Sequence, residues 1–212
     1  MVYYKKWVNN IYYGNNNLIK NILKLMLDKW YSYNALLVCN YTVGGIVMKK
    51  ILYIDEYLKG GKCMTDIFEV SNYFLSALPM THKKLQKMCY YAYAWYYTLY
   101  DKKLFDNGRF EAWIHGPVNR ELFFKYTGYG WKEISEYHES NAINNEIKQF
   151  LDTIIDTFGI YDGNELENMT HSEKPWKKAR EGYEPYEICE VKIDDNIIKE
   201  YYSSLMKENQ CE

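Results

Sequence analysis

The sequence predicts an α+β fold: a single, predominantly α-helical domain carrying one short β-hairpin. Three observations point there. Apolar residues recur at spacings of three and four through Leu85, Met88, Cys89, Ala92, Trp95, Tyr96 and Leu99, the period of a helix that buries a stripe against a core. A second such face runs through Ile143, Ile147, Phe150, Leu151, Ile154 and Phe158. Between them, Asp106-Asn107-Gly108-Arg109 is a tight-turn signal. It is followed by alternation of Phe110, Ala112 and Ile114 with Glu111, Trp113 and His115, the period of a strand.

Each element follows in order. Residues 67–78 place Ile67, Val70, Phe74 and Leu78 near one face and read as a helix that Pro79 ends. Thr81 is a good cap for the long helix over 82–100. The hairpin is expected to pair 103–105 with 109–114, and it must pack on the helices because two strands alone are marginal. His115-Gly116-Pro117 should break the strand, with Pro117 opening a helix that runs to Tyr126. Gly159 should stop the second amphipathic helix as a C-terminal glycine. A short helix over 164–170 follows. Another is opened by Lys174-Pro175-Trp176 and ends near Gly182, and 186–193 reads as a short strand. Asp194 or Asp195 caps a last helix with Ile197, Ile198, Tyr201 and Leu205 inward.

Length and composition bound the rest. With 212 residues and 48% hydrophobic content, the chain can form one ordinary domain with a real core plus an extension. The net charge of −2 hides an asymmetry. Residues 1–63 hold nine lysines against three acidic residues, whereas residues 64–212 hold 17 basic and 25 acidic residues, a net of −8. An acidic domain repels a phosphate backbone and gains nothing from counterion release, so no nucleic-acid partner is expected. Five cysteines, Cys39, Cys63, Cys89, Cys189 and Cys211, are an odd number without a CxxC pair. That suits free thiols in a reducing cytoplasm. No secretory signal is visible. Residues 30–48 are uncharged and near membrane-spanning length. Ser32, Asn34, Asn40, Thr42 and a glycine pair make them a poor span, so membrane association is not expected.

Two domain units are therefore expected, 1–63 and 64–212. Lys59-Gly60-Gly61-Lys62-Cys63-Met64 back-translates to a purine-rich run resembling a ribosome-binding site just before an ATG codon. Residues 1–63 are read as translated upstream sequence, with Met64 the expected start. Met48, which follows Gly44-Gly45, is a second candidate, and Met1 is the start if the extension is real. In that rival reading 18–30 is a helix with Leu18, Ile22, Leu25 and Met26 on one face.

Three segments carry a family resemblance. Thr81-His82-Lys83-Lys84-Leu85-Gln86-Lys87-Met88-Cys89-Tyr90-Tyr91-Ala92 is similar to the T-x-x-K-L-Q-K-L-L-Y-Y-A signature of the Panacea domain, found in GepA-like phage-associated and SocA-like proteins. Phe110-Glu111-Ala112-Trp113-Ile114-His115-Gly116-Pro117-Val118 resembles a second signature, F-x-A-W-x-x-G-P-V. Thr170-His171-Ser172-Glu173-Lys174-Pro175-Trp176-Lys177-Lys178-Ala179 is similar to a third, T-H-x-E-x-P-W-x-x-A. The resemblance implies an antitoxin that neutralises a protein toxin by direct binding, in some members as an adaptor to a host protease. The alternative it leaves open is a prophage-encoded regulatory or counter-defence protein that binds a host protein.

The residues favour binding over chemistry. His82, His115, His138 and His171 lack the HxH and HExxH spacings of a metal site. No phosphate loop, nucleophile elbow or dinucleotide fingerprint is present. No catalytic group, metal or cofactor is expected, and the protein is read as a non-enzyme. His171 with Glu173 is the pair that could do base chemistry. The preferred reading is that it ties the 164–170 helix to the Pro175-Trp176 turn. Cys89 lies on the apolar stripe, which argues for burial rather than a nucleophilic role. The expected partner-binding residues are Trp113, His115, Gly116 and Pro117 at the bend, joined by His171, Glu173, Pro175 and Trp176. Irregular, rigid, aromatic-rich segments suit recognition.

Overall fold

The computed structural model describes residues 38–43, 46–51, 65–107, 109–137 and 143–210, with only the backbone given for the first two stretches and for 207–210. Two strands, β1 (Val38–Val43) and β2 (Ile46–Ile51), pair antiparallel, with Val43 opposite Ile46. The described parts of the 30–48 segment are therefore strand. The expected 18–30 helix lies outside the described residues. The remainder runs α1 (Ile67–Ala77), α2 (His82–Tyr100), β3 (Phe110–Trp113), β4 (Gly116–Asn119), α3 (Arg120–Tyr126), a 3-10 turn at Thr127–Tyr129, α4 (Asn145–Phe158), α5 (Gly163–Ser172), α6 (Lys174–Ala179) and α7 (Asp195–Gln210). This is the α+β fold that the periodicities predict, mostly helical with a two-stranded antiparallel hairpin.

Helix α2 is the axis of the domain. Its start is set by Thr81, whose hydroxyl accepts from the Lys84 amide. Its end is Asp101, which takes the left-handed conformation at φ 54°. The sequence suggests one buried stripe, but α2 is buried on all sides. Every residue from Leu85 to Tyr96 is inside, Tyr90, Tyr91 and Tyr93 included. Tyr91 stacks on Phe158 of α4 at 4.1 Å, Tyr93 meets Phe105 and Phe110, and Trp95 meets Tyr202 of α7 at 4.9 Å. The uninterrupted run from Met88 to Tyr96 was the sign of such a central helix.

The hairpin differs from the expected one. β3 pairs with β4, not with 103–105, in the register Phe110–Asn119, Glu111–Val118, Ala112–Pro117 and Trp113–Gly116. The loop is thus Ile114-His115, and Gly116 supplies the positive φ of 91° that closes it. Phe105 instead forms a bridge with Thr65 and packs into the aromatic cluster. The turn residue Asn107 is used by its side chain, which accepts from the Ile67 amide and donates to Glu121.

Gly116 and Pro117 do not break the strand; they are in it. The Ala112 amide points to the other side of β3 and donates to the Val191 carbonyl. Ala112 and its partner Pro117 thus form a non-hydrogen-bonded pair, and the missing proline N–H removes no ladder bond. Pro117 does not open α3 either: Asn119 caps that helix, its side chain accepting from the Leu122 amide. The expected strand over 186–193 reduces to a bridge between Glu111 and Lys192 beside β3. Gly159 ends α4 at φ −64°, so left-handed freedom is not its role. A Cβ there would lie 2.4 Å from the Ile155 carbonyl oxygen and 2.8 Å from Leu78, so close packing requires the glycine.

Candidate functional site

A lysine is buried where the three signatures meet. Lys87 sits on α2 and is 1% exposed. Its ammonium donates to the Pro117 carbonyl at 3.1 Å, the oxygen that the non-hydrogen-bonded pairing turns away from β3. A Cβ on Gly116 would lie 2.6 Å from Lys87 Cε and 2.8 Å from Thr170 Oγ1. The first signature supplies the lysine, the second the glycine it passes over, and the third the threonine on the far side. Burial lowers the Lys87 pKa to about 7, only partly offset by Glu167, while Lys83 lowers it further.

Charged groups surround this seam. Glu167 of α5 binds the Lys83 ammonium and His115 Nδ1, the latter at 3.1 Å. Burial works against its charge, but the hydrogen bonds from Lys83 and His115 hold its pKa below the usual value. Gln86 clamps the start of α3, accepting from the Asn119 amide at 2.8 Å and donating to the Asn119 carbonyl at 3.1 Å. His82 lies 3.3 Å from Gln86 Nε2 and packs on Phe123, and burial lowers its pKa to about 4. A ring nitrogen that meets an amide donor and stays unprotonated acts as the acceptor.

His171 and Glu173 have separate employments. The His171 ring stacks on Trp176 at 3.9 Å, its Nε2 is buried without a hydrogen-bond partner, and burial lowers its pKa to about 4. Both oxygens of Glu173 accept from tyrosines, Tyr91 at 3.0 Å and Tyr202 at 2.7 Å. Burial raises the Glu173 pKa to about 7 against the pull of those hydroxyls. The carboxylate therefore locks α6 to α2 and α7, and the proposed imidazole–carboxylate pair is replaced by a tyrosine–carboxylate network. Trp176 Nε1 donates to the Trp113 carbonyl at 3.0 Å, and Pro175 is buried. Trp113 donates to Glu111, which Arg120 also binds at 2.8 Å. Cys89 and Cys189 are buried free thiols, and burial pushes the Cys89 thiol up. His138 lies outside the described residues.

Of the eight expected partner-binding residues, the hairpin members Trp113 and His115 line an open groove of about 580 Å³. Gly116, Pro117, His171, Glu173, Pro175 and Trp176 form the packed seam behind it. The groove is also lined by Trp131, 75% exposed, and Ile188, also 75% exposed. The expected partner-binding set did not include Trp131, Lys87, Glu167, Arg180 or Ile188. Lys87 had a visible sign: it is a charged residue directly before the longest apolar run in the chain.

Fold and site together define an α+β domain whose ionisable groups are tied into its own scaffold. Residues 85–177 match the family described as Antitoxin SocA-like, Panacea domain. The matched span includes most of each of the three signatures. No curated protein and no solved structure matches the chain. Among the described residues, no cluster of histidine, cysteine or acidic side chains could hold a metal, and no helix is long and apolar enough to cross a membrane.

Proposed function

We propose that this protein is the antitoxin of a toxin–antitoxin pair and neutralises a protein toxin by direct binding, with no chemistry of its own. One observation carries the reading: the lysine and carboxylate groups at the meeting point of the three signatures are engaged in holding the domain together, beside an apolar groove that opens to solvent. Lys87 is spent on Pro117, Glu167 on Lys83 and His115, and Glu173 on Tyr91 and Tyr202. A base or nucleophile needs a free, accessible group, whereas a binding protein needs a rigid, partly apolar surface. The family match supports an antitoxin-type role and, with it, a protein partner.

Co-expression tests this. Genes neighbouring the native locus are induced singly, with and without this chain. Rescue of a toxic neighbour that titrates with the dose of this protein, together with a stable complex of the two, supports the reading. Substoichiometric rescue lost with a single His171→Asn change would establish an enzyme instead. Capture of the partner with a protease, and its disappearance over time, would identify an adaptor. A native complex with a host defence protein and no toxic neighbour would favour the prophage counter-defence alternative.

A further inference from the structure

The exposed side of the groove is a short arm, residues 181–191, whose construction is unusual for a surface loop. Its backbone is held by one buried cation. Arg180, 6% exposed, donates from Nη1 to the Ala112 carbonyl at 2.9 Å. From Nη2 it reaches the carbonyls of Glu184, Pro185 and Glu187. Its guanidinium also lies 5.2 Å from the Trp176 ring centroid. A turn within the arm is closed twice, by Glu187 N–H to the Glu184 carbonyl and by Glu184 N–H to the Glu187 carboxylate. Cys189 plugs inward and Val191 accepts from Ala112 on β3. Between these fixed points, Tyr186 at 87% exposure and Ile188 at 75% project into solvent.

Large apolar side chains held out on a preformed backbone lower the ordering cost of binding, and such residues dominate interface energetics. Ile188 faces the groove that Trp131 and Phe123 border, so the arm and the groove form one surface. The charge of the arm says what should cover it. Residues 181–191 hold four glutamates and no lysine or arginine, within a domain segment of net −8. Glu181 pairs with Lys178 and Glu190 with Arg120, which leaves the carboxylates of Glu184 and Glu187 without a cation among the described residues.

We infer that this surface takes a basic segment of the protein partner that inserts one bulky apolar side chain between Trp131 and Ile188 while its lysines or arginines meet Glu184 and Glu187 of the arm. The inference rests on the binding role proposed above and names the chemistry of the segment bound. Lys87 lines the groove but its ammonium is turned to the Pro117 carbonyl, and Glu173 lies outside the lining. They hold α2, the hairpin and α6 so that the arm and groove keep their spacing.

Random peptides displayed on phage and panned against the full chain test it. The enriched peptides are expected to share an aromatic or long aliphatic residue flanked by lysine or arginine, with binding that weakens as salt is raised. The winning peptide should lose about tenfold or more in affinity for Trp131→Ala and for Ile188→Asp. Glu184→Lys should weaken it further for basic peptides. All three positions are exposed, and unchanged melting curves would verify that the variants fold. Enrichment of acidic or uncharged peptides, binding indifferent to all three variants, or no enrichment at all would overturn the inference. The same variants are then scored for toxin rescue. Rescue that persists after peptide binding is lost removes this surface as the toxin site and leaves the antitoxin role standing. Failure of the wild-type chain to rescue removes that role itself.

Discussion

The seam around Lys87 and the arm around Ile188 lie side by side and obey opposite rules. The seam is dense with signature residues, buried, and, His171 Nε2 apart, satisfied by internal hydrogen bonds. The arm and Trp131 present exposed apolar side chains beside the glutamates of the arm, outside all three signatures. What made the domain recognisable is thus what holds it together, not what it offers to a partner. A buried lysine crossing a glycine tolerates no change of shape, because a Cβ there would sit 2.6 Å from Lys87. An exposed isoleucine can change without disturbing the core.

The sharpest way to break that contrast is to substitute Gly116. Gly116→Ala adds strain at φ 91° to the clash with Lys87 and Thr170. It should cost about 3–4 kcal/mol, read by denaturant unfolding. A loss below about 1 kcal/mol would show that the seam is loosely packed.

Next in size is the titration of Glu173. Its folded pKa of about 7 lies above the ordinary value, so the stability it contributes is present below pH 4.5 and is lost as pH rises to 7. The loss should approach about 3 kcal/mol. His82 and His171, held near 4, act the other way: their contribution is present above pH 6.5 and is lost as pH falls through 4. The wild type should show opposing slopes between pH 4.5 and 6.5. Glu173→Gln should show only the histidine slope, with stability rising with pH, in melting curves taken across that range. Identical profiles for the two proteins would remove Glu173 from the buried network.

Arg180 joins the two regions and should give an intermediate effect. Arg180→Ala frees the carbonyls of Ala112, Glu184, Pro185 and Glu187 and should cost about 2 kcal/mol. Arg180→Lys should recover little of it, because a point ammonium cannot span four acceptors as a planar fork does. Hydrogen exchange at Glu187 should accelerate in both variants. Unchanged protection would mean that the arm is held without Arg180.

The smallest effect on stability belongs to the rim. Trp131→Ala and Ile188→Ala should each shift stability by less than about 0.5 kcal/mol, while partner affinity, measured by titration calorimetry, falls about tenfold. Equal losses of stability and affinity would dissolve the distinction between scaffold and surface.

How much of this was legible depends on which interactions are local. Helix α2 was readable to its ends because Thr81 caps it and its apolar run is unbroken, and α4 and α7 followed from the same periodicity. The hairpin was misplaced because Asn107-Gly108 is a valid turn signal. What outvoted it was a long-range competition: Phe105 is drawn to Thr65 and the aromatic cluster, leaving β3 to pair across Ile114-His115. Likewise, Glu173 was placed with its sequence neighbour His171, but its hydroxyl partners come from 82 and 29 residues away.

By itself, the sequence determined the longer helices, the Thr81 cap, the α+β class and the family signatures, since each is written in spacings of a few residues and in propensities that act within a turn or two. Only the tertiary structure decided that Lys87, Gly116 and Thr170 share one point, that Arg180 pins the arm, and that Trp131 and Ile188 border one groove. Those are meetings of residues far apart in the chain, and no local period encodes which distant side chain fills a given space.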